Sequence, residues 1–140
     1  MTQQFAQQRP ETSSGTLILH MARTSSPEDF SYHLRETMQT IKESCHEIQS
    51  DISKMFGQIS RMSGTNAQAE FTHYDFDGRI FLLKEWMLVV KKAVQWRHLK
   101  AWQYKQIKVE LDYLNEIVSA AEIFRVCLEE EVRLAVYRAN

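Results

Sequence analysis

The sequence predicts an all-α protein, and three observations carry that expectation. Only four Gly and two Pro occur in 140 residues, and all six lie at or before Gly78. The stretch from Arg79 to Asn140 contains neither. From Leu34 onward, apolar residues recur at alternating spacings of four and three. A sheet-rich chain would need turn residues about every 8–12 positions. This chain has few turns, so its elements are few and long. Its length suits one domain with a modest core.

Residues 1–25 are rich in Gln, Ser and Thr and are expected to form a mobile tail. The apolar patch Thr16–Met21 reads as a loosely packed piece of that tail; the alternative is a docking segment that orders on a partner. Residues 26–140 then form the helical assembly domain.

Ser26-Pro27-Glu28-Asp29 is a helix start. The Ser26 hydroxyl can accept from a free backbone N–H, and Pro27 suits the first helical position, where no N–H is needed. Glu28 and Asp29 favour the positive end of the helix dipole. Arg23-x-x-Ser26-Pro27 also matches a kinase site, but the cap accounts for the same residues.

The first long helix is expected near 27–62. Its apolar positions are Leu34, Met38, Ile41, Cys45, Ile48, Ile52, Met55, Ile59 and Met62, an unbroken heptad seam. The other positions are mostly polar, so the face is narrow and suits one or two partner helices. Gly57 falls on the outward side of this pattern. Ser63-Gly64-Thr65-Asn66 reads as a helix end, and residues 63–78 as a connection of moderate length. Phe71, Tyr74 and Phe76 are too apolar for a free loop and are expected to pack on the bundle, with Asp75 or Asp77 capping the next helix.

The last element is expected to be one helix near 79–138. A heptad series runs from Leu83 through Trp86, Val90, Ala93, Arg97, Lys100, Tyr104, Ile107, Leu111, Leu114, Val118, Ala121, Arg125, Leu128 and Val132 to Ala135. Its unbroken phase favours a single helix over a hairpin, since a turn would reset it. The basic seam residues Arg97 and Lys100 mark where a break would fall, between Arg97 and Tyr104, with an acidic group of a partner facing them. Between Ile80 and Trp96 the flanking positions are apolar too, a face too wide for the first helix alone to cover. Partner helices, from a second copy or from other helical proteins, are therefore expected.

The net charge is −1, but it is unevenly spread. Lys91, Lys92, Arg97, Lys100, Lys105 and Lys108 occur with no acid between Glu85 and Glu110. Seven acids follow from Glu110 to Glu131, with Arg125 the one basic residue among them. The basic block interleaves with Trp96, Trp102 and Tyr104. Such a segment can grip nucleic acid by phosphate contact and stacking, or meet an acidic helix. Protein contact is the favoured reading, with nucleic acid at 91–108 as the alternative.

No chemistry-bearing constellation emerges. Glu43-x-x-His46 and Glu70-x-x-His73 have the spacing of di-iron bundles, but the first pair falls off the seam and the second in the connection. Cys45 and Cys127 lack metal-ligand spacing and read as small core residues. The five His are scattered, and no glycine has a second within reach for a phosphate loop. No cofactor, metal or enzymatic activity is expected. The sparse cysteines and the lack of a long apolar stretch point to an intracellular location without a transmembrane segment.

The expected function is a non-catalytic scaffold or adaptor subunit that assembles through its seams. The residues assigned to protein contact are Leu34, Met38, Ile41, Ile48, Ile52, Met55 and Ile59 of the first helix, and Trp86, Val90, Trp96, Arg97, Lys100, Trp102, Tyr104, Ile107, Leu111, Leu114 and Val118 of the last stretch.

Overall fold

The computed structural model of the chain describes residues 13–97 and 99–139. Five α-helices follow one another: α1 (Ser13–Thr24), α2 (Pro27–Gln58), α3 (Gly64–Tyr74), α4 (Phe76–Trp96) and α5 (Ala101–Ala139). A 3-10 turn, Ile59–Arg61, extends α2. No strand occurs among the described residues, so the all-α expectation holds.

The helix starts are set by side chains. Ser26 caps α2, its Oγ accepting from the Asp29 N–H at 3.2 Å, with Pro27 in the first turn. Ser63 does the same for α3, accepting from Asn66 N–H at 3.2 Å. Asp75 adopts a left-handed conformation, φ 48°, and its carboxylate accepts from Gly78 N–H at 3.3 Å. That one residue ends α3 and starts α4. Before α5, the Lys100 N–H donates to Gln103 Oε1 at 3.1 Å, one arm of a capping box.

Three long helices make the frame. Asp77 pairs with Arg125 at 2.9 Å and Lys84 with Glu122 at 2.5 Å, so α4 and α5 run antiparallel. At one end of α2, Ser31 and Trp102 line a common cleft. Further along, Phe56 meets Phe124 edge-on at 6.4 Å. α2 and α5 therefore run in the same direction. At ~1.5 Å per residue, α5 is about 58 Å long. α3 lies against the far end of α5, where Gly64 touches the backbone of Ala135 and Val136. α1 lies beside α4 and α2; at its end Arg23 stacks on the Trp96 ring at 4.0 Å.

Several sequence expectations are corrected. The described part of the mobile tail, residues 13–25, contains α1, which buries Ile18 and Ala22 completely or nearly so. The partner on which the apolar patch orders is the chain itself. Residues 1–12 of the expected tail lie outside the described residues. The 63–78 connection is largely helix, because Ser63 opens an element where its Ser-Gly-Thr-Asn context reads as a stop. Phe71, Tyr74 and Phe76 do pack: Phe76 is buried, stacked on Tyr74 at 5.1 Å and edge-on to Phe71 at 5.9 Å.

The single helix at 79–138 is two. Arg97 leaves α4 in an extended conformation, φ −112°, ψ 127°, and α5 begins at Ala101. The break falls where the basic seam residues predict it. Phase continuity did not exclude a hairpin because both arms turn the same face to one core. The link is not helical at Arg97, so the matching phase on either side of it reflects two arms that each turn an apolar face to the core.

The core is continuous through all five helices. Trp86, Phe30, Phe76, Ile18 and Ile41 are its largest fully buried side chains. α2 is buried on more than its seam: Thr37, Thr40 and Ser44 form a second buried row. Thr37 and Thr40 tolerate this by donating to the carbonyls of His33 and Glu36 one turn back, at 3.0 and 2.9 Å.

Candidate functional site

The seams assigned to partners are used inside the chain. Leu34, Met38, Ile41, Ile48, Ile52, Met55 and Ile59 are all buried. So are Trp86, Val90, Leu114 and Val118, while Ile107 and Leu111 are half-buried against the same core. Much of the wide face from Ile80 to Val94 is covered within the chain: Ile80, Leu83, Trp86, Met87, Val90, Ala93 and Val94 are buried, while Phe81 and Leu88 remain about half exposed. α1 and α3, neither of them expected from the sequence, supply the missing cover together with α2 and α5. A partner therefore has to use surface other than these seams.

The remaining assigned residues gather at the α4–α5 turn. Trp96 is 44 % exposed beneath the Arg23 guanidinium. Arg97 is half-buried, and its Nη1 donates to the Ser25 carbonyl at 2.6 Å. Its guanidinium also lies 5.7 Å from the Phe30 ring. The expected acidic group is thus replaced by a carbonyl just past the end of α1, where the helix dipole is negative. Lys100, Trp102 and Tyr104 are exposed. The turn also brings Lys91 and Lys108 to the rim of one small cleft, about 120 Å³, between Val94, Tyr104, Ile107 and Leu111, with Asp112 on the same rim. His98 lies outside the described residues.

A second surface is new. Thirteen large hydrophobic side chains are exposed among the described residues, and nine of them belong to α5. Trp102, Val109, Ile123 and Tyr137 fall on one seven-residue series; Tyr113, Ala120, Cys127 and Leu134 fall on a second, offset by four. Together they form a heptad stripe on the side of α5 that faces away from the core. Val109, Ile123 and Tyr137 are 67, 64 and 76 % exposed, so nothing among the described residues covers them. Glu116 and Glu130 interrupt the stripe. Glu130 is held below the usual carboxylate range by its hydrogen bond from Arg133, and it stays charged.

This stripe corrects the reading of Cys127, which is exposed on it, whereas Cys45 is buried in the core as expected. Burial pushes the Cys45 thiol up to about 12. The stripe escaped sequence reading because two seven-residue patterns overlie one another on one helix, and the core pattern is the stronger. The exposed series carries a charge at two of its positions. Recognising it requires first assigning the core series and then asking what period remains.

The Glu-x-x-His pairs do not converge. His46 and His73 are both exposed, on different helices, and no three His, Cys, Asp or Glu side chains among the described residues are grouped to hold a metal. No helix is long and apolar enough to cross a membrane among the described residues. Searches against protein-family models, curated proteins and solved structures gave no match.

Proposed function

We propose that the chain is a non-catalytic helical assembly subunit whose docking surface is the outer stripe of α5. The observation that supports this is the stripe itself. It is apolar, ordered at heptad spacing and carried on the longest of the described helices, while the seams of α2 and α4 are packed inside the chain. Soluble monomers rarely leave contiguous apolar patches beyond about 300–600 Å² in water. The occupant suited to such a surface is another amphipathic helix. Both cysteines are free, which fits a reducing, intracellular compartment.

The test compares the intact chain with Ile123→Glu, a change on an exposed position that should leave the fold alone. Co-purification and light scattering should give a larger assembly for the parent chain and its loss in the variant, with unchanged thermal unfolding. A well-folded parent monomer that recruits nothing would refute the reading.

The alternative, nucleic-acid binding through 91–108, draws on five exposed lysines (Lys91, Lys92, Lys100, Lys105 and Lys108) around the exposed rings of Trp102 and Tyr104. Two of its components are otherwise engaged, since Arg97 holds the Ser25 carbonyl and Trp96 lies beneath Arg23. That reading requires steeply salt-dependent DNA or RNA binding that is lost when Lys91, Lys92, Lys100 and Lys105 are neutralised.

A further inference from the structure

The geometry points to a second copy of this chain as the occupant of the α5 stripe, docked antiparallel about a two-fold axis level with Val118. This inference rests on the assembly reading above and names its partner.

Direction follows from charge. The exposed lysines Lys100, Lys105 and Lys108 lie near the start of α5; near its end Glu129 and Glu130 pair with Arg125 and Arg133, Glu131 stands beside them and Arg138 follows. A parallel pair would set lysines against lysines and these acids against their own copies. An antiparallel pair separates the two lysine clusters and, centred at 118, sets Lys105 of each copy level with Glu131 of the other, which favours this orientation.

Register follows from the two series. In an antiparallel pair, each series faces the other across the interface. Centring the pair at 118 places Trp102 opposite Leu134 of the second copy, Val109 opposite its Cys127, and Tyr113 opposite its Ile123. Glu116 then faces Ala120, whose small side chain leaves the carboxylate a path to solvent. Sliding one heptad in one direction would put Tyr113 against Glu130 and Glu116 against Cys127. Sliding in the other would put Tyr113 against Glu116 and leave Leu134 overhanging, whereas the register centred at 118 leaves only Tyr137 beyond the end of the partner helix. The register centred at 118 is the one that sets the large apolar residues from Trp102 to Leu134 against each other or against Cys127.

The area is sufficient. Large aromatic side chains carry about 150–250 Å² each, with branched aliphatics near the lower end. From their exposures, the five large apolar residues paired in this register, Trp102, Val109, Tyr113, Ile123 and Leu134, leave roughly 500 Å² per copy in solvent. A pair would bury about 1,000 Å² from these residues, the threshold for a specific interface.

The native Cys127 makes the test direct. Positions 109 and 127 lie about 27 Å apart along one helix, far beyond the reach of a disulfide. In the antiparallel pair, residue 109 of each copy meets residue 127 of the other. Under mild oxidation the full chain carrying Val109→Cys should form a covalent dimer. The parent chain should not, and neither should Val109→Cys combined with Cys127→Ser. Light scattering of the parent chain at tens of micromolar should give twice the 16.5 kDa chain mass. Ile123→Glu should weaken the dimer roughly tenfold or more by burying a charge, with circular dichroism and thermal unfolding confirming the fold.

A dimer in which the parent chain cross-links through Cys127 alone and Val109→Cys adds nothing new would be parallel. That result overturns the inference and leaves the assembly reading standing. A monomer at these concentrations overturns self-pairing. If that monomer binds proteins from extract that Ile123→Glu does not bind, the assembly reading survives with a different partner. If it binds none, both fall.

Discussion

Replacing Gly64 by Ala tests how closely α3 lies on α5. Gly64 is the first residue of α3 and is buried. A Cβ there would stand 2.7 Å from the Val136 Cα and 2.8 Å from the Ala135 carbonyl oxygen. Both are backbone atoms of a long helix and cannot swing away. Carbon–carbon contacts are comfortable at about 3.5–4.0 Å, so the two helices would have to separate by about 1 Å. Overpacking of this kind costs about 1–3 kcal/mol. Ala regains at most about 1 kcal/mol of helix propensity, and less at the first helical position. The net loss is about 1–2 kcal/mol, which lowers the melting temperature of a chain this size by roughly 3–8 °C. Gly57 is the control. It sits inside α2, where an added Cβ would meet nothing within 4 Å, so Gly57→Ala should gain about 0.5–1 kcal/mol. Urea and thermal unfolding followed by circular dichroism would read both. If the two variants were stabilised alike, the close approach of α3 to α5 would be wrong.

Other perturbations follow from the same contacts. Trp86→Ala should destabilise by about 3–5 kcal/mol, because the ring is fully buried at the centre of the core; a urea-midpoint change under half of this would contradict its place there. Arg97→Ala should cost about 1–2 kcal/mol, since the half-buried guanidinium bonds the Ser25 carbonyl and charged hydrogen bonds of this kind contribute about 1.5–3 kcal/mol before solvent screening. Equilibrium unfolding reads this loss, and a neutral result would mean that the α1–α2 link is not held by Arg97. Cys127 should react with a thiol reagent at neutral pH while Cys45 stays protected until the chain unfolds. The folded Cys45 holds its proton up to about 12, above its ordinary value of 9.0. Its contribution to stability is therefore complete below the ordinary value and is lost as pH rises from there through about 12. Replacing Cys45 with Ala should flatten the alkaline limb of a stability–pH curve.

What the sequence discloses is what local physics settles. Ser26 and Asp75 announce helix starts because a side-chain oxygen three residues before a free N–H is a short-range device. The α2 seam is legible because its core spacing repeats without interruption from Leu34 to Ile59. α1 is not legible: its apolar patch is short, and its burial depends on α4, far along the chain. The α3 segment is obscured because Ser63-Gly64 suits both a stop and a start. Gly64 answers a contact with Ala135 and Val136 that lies about seventy residues away, and that requirement has no local trace. The hairpin is half-legible. Arg97 and Lys100 mark the break, but the core-facing phase is the same for one helix or two.

The closure of the core changes where a partner can bind. Were the seams of α2 and α4 open, recognition would compete with folding for the same side chains, and a subunit without its partner would expose its whole interior. Here the seam residues from Leu34 to Ile59 and from Leu83 to Val94 are buried by the chain's own helices, so these seams need no partner to be covered. The proposed association would use the face of α5 that the core does not. The two faces share a helix and differ in composition. The inner carries Leu114, Val118, Leu128 and Val132, packed and buried. The outer alternates Val109, Tyr113 and Ile123 with Glu116 and Glu130, apolar enough to bind and charged enough to stay hydrated alone. A charge placed at Leu128 should therefore unfold the chain, whereas the same charge at Ile123 should only unpair it. That difference is what separates a core seam from a docking seam on one helix.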